Sequence, residues 1–294
     1  MTQADVSDPA VGRTAVTGRA VTGRAVGGRV TFVGAGPGAA DLVTVRGANA
    51  LAAADIVVWA ASLVAPEMLG YARDGAEIVD SANLTLEATV AIYRRAAEDG
   101  LHVVRLHSGD PALWGAMQEQ IEQVSDLGLA VEVVPGVSAY AAVAATVQRE
   151  LTVPEVAQSV ILTRLEGGKT PMPAGETIRG FAAHGTTMAV FLSAARTKQL
   201  AEELVAGGYP ADTPVVVGYR VTWPDEVVLH CTIGTLVETV REHRFWKHTL
   251  FLVGPALSHA GTRSHLYHPG HFHGFRKADR AARAVLKGGA SHAG

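Results

Sequence analysis

Strand-like and helical segments alternate along residues 29–136 of the chain. The segment RVTFVGAG (29–36) alternates β-branched and apolar residues and ends in glycines, which predicts a buried strand leading into a tight loop. Apolar residues then recur at helical spacing from Leu42 to Leu51, and IVVWA (56–60) has the apolar run of a second buried strand. These elements form a βαβ unit, so this part of the chain is predicted to be an α/β domain.

The same alternation predicts the remaining elements. Before residue 136 we expect strands at AEIVD, HVVRLH and AVEVVPG, with amphipathic helices at LTLEATVAIYRRAAEDG and ALWGAMQEQIEQVSDLG. The small-residue segment PGVSAYAAVAATVQREL is predicted to be a helix. Strands are predicted beyond it at SVILTR, TTMAVFLS, PVVVGYR and HTLFLVG. The two halves of the chain are therefore expected to form separate sheets, in two α/β domains.

Changes in composition suggest where these domains begin and end. The first residues hold the near-repeats AVTGR, AVTGR and AVGGR, which offer few groups to bury, and the last residues are polar, rich in histidine and without a clear period. The predicted organisation is a disordered extension at 1–28, an α/β domain at 29–136, a connecting segment at 137–157, an α/β domain at 158–257, and a tail or lid at 258–294.

Charge and cysteine content exclude several classes of protein. A net charge of -3 does not provide the excess positive charge that binding a nucleic-acid backbone requires, so nucleic acid is not an expected partner. Cys231 is the only cysteine, which rules out an intrachain disulfide and a multi-cysteine zinc site. The longest uncharged apolar stretch, 133–147, is too short to span a bilayer and contains Pro135 and Gly136. We therefore expect a cytoplasmic enzyme that does not enter a membrane.

The glycine-rich loop GAGPGA (34–39) has two interpretations on its own. It fits the loose pattern of a dinucleotide site, in which amides at a helix N-terminus bind a pyrophosphate. However, Pro37 has no N–H, and Asp55, the nearest carboxylate that could bind a ribose, precedes the second strand instead of following it. The alternatives that remain are an NAD-dependent oxidoreductase, a non-catalytic nucleotide-binding module, and a tight turn without a ligand.

Two more polar or small-residue motifs follow predicted strands. The segment RLHSGDPALWG puts Asp110 and Pro111 directly after one strand, where Asp110 is either a ligand-site residue or a helix N-cap. The segment PGVSAY follows the next strand, and its small residues permit a flat ligand to approach closely.

In this order, GAGPG, SGDP and PGVSA resemble the tetrapyrrole methylase family, whose members hold S-adenosylmethionine between two α/β domains. Within that family, WAASLV, RLHSGDPALWGAMQEQ, TRLEGGKTPMP and YRVTWPDE are similar to the enzymes that methylate C11 of precorrin-4 in cobalamin synthesis. The resemblance covers about residues 29–257. It implies a cofactor in the cleft between the domains, a precorrin or cobalt-precorrin substrate, and a homodimer. Methylation of another precorrin carbon or of uroporphyrinogen III remains the alternative.

The resemblance also implies a set of cofactor-binding residues. They are Pro37, Ser108, Gly109, Asp110, Leu113, Ser138, Ala139, Ser193, Tyr219 and Ala256. Relatives often carry methionine where this chain has Ser193, so the sequence departs from the family pattern at that position.

Methyl transfer from a sulfonium needs an aligned nucleophile and a dry site more than an acid or base. No catalytic residue is assigned. His107 is either a proton acceptor that titrates near neutrality or a structural histidine. The carboxylate arms of a tetrapyrrole call for cations, and the candidates for substrate contact are Arg105, Arg164, Lys169, Arg196, Arg220 and the aromatic Trp223.

The histidines of the C-terminal tail do not indicate a metal site. His265, His268, His271 and His273 lack regular spacing and lie among proline and glycine. Any cobalt is expected to arrive within the substrate.

Overall fold

The structure is a computed structural model that describes residues 27–167, 170–258, 261, 264–267, 269–272, 275–277 and 279. Most of the predicted N-terminal extension and much of the predicted tail lie outside these residues. Gly28 is described, and it packs tightly: a Cβ atom added there would lie 2.5 Å from the carbonyl oxygen of Ala96.

The described chain alternates strands and helices. The strands are β1 (Arg29–Gly34), β2 (Ile56–Trp59), β3 (Glu77–Asp80), β4 (His102–His107), β5 (Ala130–Val134), β6 (Val160–Arg164), β7 (Thr187–Phe191), β8 (Pro214–Tyr219), β9 (Val227–Thr232) and β10 (Thr249–Val253). The α-helices are α1 (Val45–Ala52), α2 (Leu86–Asp99), α3 (Met117–Asp126), α4 (Ala139–Thr146), α5 (Ile178–Ala182), α6 (Thr197–Ala206) and α7 (Leu236–His243). Short 3-10 helices lie at Ala40–Leu42, Pro66–Tyr71, Ala194–Arg196, Pro255–Leu257 and His265–Tyr267.

Local sequence explains several helix ends. Thr44 caps α1 by accepting a hydrogen bond from Gly47 N, and Thr85 caps α2 in the same way. Each hydroxyl satisfies an amide that has no partner within the helix. Gly100 ends α2 in the left-handed region at φ 67°, which glycine adopts without steric cost.

The first α/β domain is built on a parallel five-stranded sheet in the order β3-β2-β4-β1-β5. Its central strands are buried on both faces, with α2 and α3 packed on one face and α1 on the other. All five strands therefore end at the same carboxyl edge of the sheet, where ligands bind in open α/β sheets. This arrangement agrees with the predicted α/β class.

The second α/β domain has a mixed sheet in the order β6-β7-β10-β8-β9. Strands β6 and β7 are parallel, whereas β10 is antiparallel to both β7 and β8. Consequently β6, β7 and β8 end at one edge, and β10 ends at the opposite edge. Helices α5, α6 and α7 cover one face of the sheet. Helix α4, predicted within a connecting segment, packs on the other face and contributes Val143 to its core.

Candidate active site

Three glycines from three loops are in direct backbone contact at the carboxyl edge of the first sheet. Gly34 ends β1, Gly109 follows β4 and Gly136 follows β5. A Cβ atom added at Gly136 would lie 2.1 Å from Gly109 O and 2.7 Å from Gly34 Cα. Because no side chain fits in such a gap, the loops can pack this closely only with glycine. The motifs GAGPGA, SGDP and PGVSA are thus brought together at one place.

The amides of the loop Gly34–Ala39 are largely used within the protein. They donate from Ala35 N to His107 O (2.8 Å), from Gly36 N to Gly109 O (3.2 Å) and from Ala39 N to Thr222 Oγ1 (3.0 Å). Pro37 has no amide hydrogen to add. A pyrophosphate site requires free amides at this position. The loop geometry therefore disfavours the nicotinamide alternative.

Asp110 ties two of the loops together. Its Oδ1 accepts a hydrogen bond from Ala112 N at 2.8 Å, and its Oδ2 accepts one from Gly136 N at 2.9 Å. The helix α3 begins only at Met117, so Asp110 is not its N-cap. The carboxylate holds the loop after β5 against the loop after β4.

The predicted helix that follows Asp110 begins later than the sequence indicated. Helical structure was expected from Ala112, but Trp114 and Ala116 have φ of 51° and 47°, outside the range of a right-handed helix. The segment 111–116 is instead a turn that leaves Trp114 41% exposed. This turn directs the Trp114 ring toward the second domain, where it lies 4.7 Å from the ring of Phe191.

The remaining cofactor candidates of the first domain border the glycine contact. Ser108 is exposed, Pro37, Leu113 and Ala139 are partly buried, and Ser138 is buried at the start of α4. Backbone groups and small side chains dominate this surface. The three loops contain no lysine or arginine from 34 to 39, from 108 to 113 or from 135 to 139.

The cofactor candidates of the second domain do not all meet. Ser193 lies just after β7 and Tyr219 is the last residue of β8, so both are at one edge of the sheet. Ala256 follows β10 and lies at the opposite edge. Ser193 is 1% exposed, and its hydroxyl accepts from Leu165 N and donates to Phe191 O. The ring of Tyr219 stacks on Phe245, with centroids 4.4 Å apart. The Ser193 side chain is thus committed to the fold of its own domain.

The edge that carries Ser193 and Tyr219 faces the carboxyl edge of the first sheet. Besides the Trp114–Phe191 contact, Trp223 Nε1 donates to the carbonyl of Pro37 at 3.0 Å. These contacts come from the ends of β7 and β8 on one side and from the motif loops on the other. The predicted motifs of both domains therefore meet at the boundary between the domains, where the resemblance places the cofactor cleft.

Three of the candidate arginines have no acidic partner among the described residues. No described carboxylate forms a salt bridge with Arg105, Arg164 or Arg196. Arg220 differs, since its Nε lies 2.9 Å from Asp225 Oδ1 and its guanidinium lies over the Trp223 ring. Lys169 lies outside the described residues.

Arg164 and Arg196 converge at the cleft edge of the second sheet. Arg164 Nη1 and Arg196 Nη2 each donate to the carbonyl oxygen of Leu165 at 3.4 Å. Two like charges that share one carbonyl oxygen repel each other, and an anion bound between them would offset that repulsion. Arg105 is different, because its guanidinium is partly buried in the first domain and donates to Ser81 Oγ, Val58 O and Gln120 Oε1. Burial lowers the pKa of Arg105.

His107 does not have the properties expected of a base that titrates near neutrality. It is 7% exposed, and burial, followed by the nearby charge of Arg105, lowers its pKa to about 4. Its Nε2 has no hydrogen-bond partner among the described residues. Of the two interpretations of His107, proton acceptor or structural histidine, this buried environment favours the structural one.

The described residues give no sign of a metal site or a membrane helix. Over those ranges no three His, Cys, Asp or Glu side chains are grouped to hold a metal ion, and every helix is too short or too polar to cross a bilayer. His268 and His273 of the tail lie outside the described residues.

Sequence reasoning did not identify Gly136, Thr222 or Trp114 as site residues. The glycine in PGVSA followed a predicted strand, which was a usable signal for close backbone approach. Thr222 and Trp114 meet partners far away in sequence, so the pattern along the chain carried no signal for them.

Comparison with known proteins agrees with this architecture. The family model of Tetrapyrrole (Corrin/Porphyrin) Methylases matches residues 29–237. The chain is 42% identical over 252 residues to a cobalt-precorrin-4 C(11)-methyltransferase of Methanocaldococcus jannaschii, covering 85% of this chain and 97% of that protein. It is 44% identical over 248 residues to a precorrin-4 C(11)-methyltransferase of Sinorhizobium sp, covering 84% and 98%.

Solved structures give the same result. The structure of a cobalt precorrin-4 methyltransferase matches with a TM-score of 0.76 and 41% identity, over 79% of this chain and 96% of the other. The uroporphyrin-III C-methyltransferase of Thermus thermophilus, solved with S-adenosyl homocysteine, matches with a TM-score of 0.65 and 28% identity, over 78% and 99%. The family model and the long, near-complete relatives establish that this chain belongs to the tetrapyrrole methylase family.

Proposed function

We propose that the chain transfers a methyl group from S-adenosylmethionine to C11 of precorrin-4 or cobalt-precorrin-4. The observation that carries this proposal is the extent of the similarity: relatives named for this activity are 41–44% identical to the chain over more than nine-tenths of their own length. The three motif loops lie within the matched region, at the cleft between the domains.

The chemistry of the motif loops fits the proposed cofactor. S-adenosylmethionine is a neutral adenosine joined to a zwitterionic tail, and its sulfonium methyl is electrophilic without help from an acid. Such a molecule suits backbone groups and small side chains, whereas a phosphate cofactor needs free amides and cations. The loops offer backbone groups and small side chains, and they lack lysine and arginine. A related structure was solved with the demethylated form of this cofactor.

The residues of this chain would act by position. The packed glycine loops and Asp110 fix the backbone that would hold the cofactor, while the ring contact of Trp114 with Phe191 joins the two domains. Alignment in a dry site can supply most of the acceleration for such a transfer. No general base is assigned, because the pKa of His107 is lowered to about 4 by burial.

Arg164 and Arg196 are proposed to bind a carboxylate arm of the tetrapyrrole. Both guanidiniums lie at the cleft edge, both approach Leu165 O, and neither has an acidic partner among the described residues. A substrate carboxylate placed between them would accept charge-assisted hydrogen bonds and relieve their mutual repulsion. Arg105 remains a proposed substrate contact, although its observed contacts lie within the first domain.

The function is tested by incubating the protein with S-adenosylmethionine and either precorrin-4 or cobalt-precorrin-4. We expect one added methyl group, located at C11 by mass and carbon-position analysis. A methyl group at another carbon, or turnover of uroporphyrinogen III alone, would support the alternative specificity. Binding of NAD without binding of S-adenosylhomocysteine would contradict methyl transfer altogether. The cytoplasmic location remains a prediction from the cysteine content and the lack of a long apolar stretch, and the homodimer remains a prediction of the resemblance.

Replacing Arg196 with glutamine is expected to raise the KM for the tetrapyrrole about tenfold, because one charge-assisted contact is lost, which costs about 1.4 kcal/mol. The dissociation constant of S-adenosylhomocysteine should change less than about twofold. Steady-state kinetics and calorimetry measure the two quantities. Arg241→Gln is the control, since Arg241 is exposed on α7 of the same domain. An unchanged KM in the Arg196 variant would remove it from the substrate site.

A further inference from the structure

The loop Arg220–Glu226 after β8, which we name the clasp, reaches from the second domain to the glycine loop of the first. Trp223 Nε1 donates to Pro37 O at 3.0 Å, and Ala39 N donates to Thr222 Oγ1 at 3.0 Å. One carbonyl and one amide of the loop Gly34–Ala39 are therefore held by groups of the other domain.

The clasp also packs on the glycine loop. A Cβ atom added at Gly38 would lie 2.3 Å from Trp223 Cδ1 and 2.8 Å from Thr222 Oγ1. The indole thus occupies the space that any side chain at position 38 would need. A glycine is required here for close approach, as it is at Gly136.

The clasp is held in an unusual backbone conformation. Thr222 has a φ of 73°, which is costly for a β-branched residue, and Arg220 has a φ of 44°. Contacts within the loop keep this shape: the Arg220 guanidinium lies 4.1 Å from the centroid of the Trp223 ring, and Thr222 N donates to Glu226 Oε2 at 2.7 Å. Strained positions of this kind persist only where the surroundings fix them.

We propose that Thr222 and Trp223 are positioning residues that set the shape of the cofactor loop from the opposite domain. Through the carbonyl of Pro37 and the amide of Ala39, the clasp fixes the part of the loop expected beneath the cofactor. Cofactor affinity then depends on a contact between the domains and not on the first domain alone. This inference rests on the proposed function. It also changes the predicted role of Trp223, because its indole N–H is directed to the first domain and not to a free surface of the cleft.

The first test removes each hydrogen bond in turn. Thr222→Val removes the acceptor of the Ala39 amide at nearly constant shape, and Trp223→Phe removes the donor to Pro37 together with the five-membered ring that packs on Gly38. We expect each variant to bind S-adenosylhomocysteine about fivefold to tenfold more weakly by calorimetry. Trp246→Phe is the matched control, since Trp246 is 52% exposed in the same domain. Its affinity should equal that of the unmodified protein.

The second test uses the contact between Gly38 and Trp223. Gly38→Ala should weaken binding at least tenfold, because the new methyl group collides with the indole. In a Trp223→Ala background the collision with the indole is absent and the contact with Thr222 Oγ1 remains, so adding Gly38→Ala should cause a smaller further loss. If the clasp has only a structural role, these variants will lower the thermal unfolding midpoint, but the effect of Gly38→Ala on affinity will not depend on Trp223.

The outcomes distinguish a failure of the clasp proposal from a failure of the proposed function. Unmodified protein that does not bind S-adenosylhomocysteine contradicts the proposed function and the clasp together. If the unmodified protein binds S-adenosylhomocysteine and the Thr222→Val and Trp223→Phe variants bind it equally well, the proposed role of the clasp is contradicted but the proposed function is not. Equal losses from Gly38→Ala in both backgrounds would also overturn it.

Discussion

Replacing Gly136 with alanine is expected to weaken S-adenosylhomocysteine binding about 100-fold or more while the rest of the fold is retained. The added Cβ would lie 2.1 Å from Gly109 O, 2.7 Å from Gly34 Cα and 2.9 Å from Gly34 C. These neighbours are backbone atoms, so no side-chain rotation relieves the collision. The three motif loops would have to separate, which breaks the surface proposed to hold the cofactor.

The size of this effect follows from the cost of overpacking. Forcing an extra methyl group into a closely packed site costs about 1–3 kcal/mol, and about 2.7 kcal/mol corresponds to a 100-fold change in affinity. Gly70→Ala is the control, because no atom lies within 4 Å of the Cβ that it would add in the same domain. Calorimetry gives the affinity, and circular dichroism gives the fold. A folded Gly136→Ala variant with unchanged affinity would show that the glycine contact does not shape the cofactor site.

The architecture of the first domain could be predicted well because its signals are local. The buried strands are mainly apolar runs, of which β1 ends at a glycine and β4 at a histidine, and helices such as α2 have a capping threonine and a terminal glycine. Such patterns are imposed by burial on both faces of a parallel sheet. The start of α3 was predicted wrongly, because nothing in the residues 111–116 indicates that Trp114 and Ala116 adopt positive φ.

The second domain was less predictable. Strand β9 (Val227–Thr232) was missed, since it contains His230 and Cys231 and its residues are only partly buried at the edge of the sheet. The antiparallel direction of β10 also carries no local signal. That direction matters for the site, because it puts Ala256 at the edge opposite Ser193.

The motif loops of the site were identifiable from sequence, but their mutual contacts were not. Glycine after a strand indicates a tight turn or close approach, yet it does not say which backbone approaches. The contact of Trp223 with Pro37 joins residues 186 positions apart. Likewise, the environment that lowers the pKa of His107 depends on burial and on Arg105, which tertiary packing creates.

Replacing Asp110 with alanine is expected to weaken S-adenosylhomocysteine binding by about 1–3 kcal/mol, or roughly fivefold to 150-fold, since the amides of Ala112 and Gly136 both lose their acceptor. The loop after β5 would then be free to move from the loop after β4. Asp110→Asn should have a smaller effect, because its amide oxygen can still accept one of the two hydrogen bonds.

Calorimetry on both variants, with Asp74→Ala as an exposed control in the same domain, separates two roles for this carboxylate. If Asp110 only orders the turn before α3, the Asp110→Ala variant will lose stability but keep its affinity for S-adenosylhomocysteine. If it positions Gly136, the affinity will fall from the unmodified protein to Asp110→Asn and further to Asp110→Ala, with the unfolding midpoint changing much less. The second result is expected, because the Oδ2 bond to Gly136 N joins two of the three loops whose backbone contact defines the site.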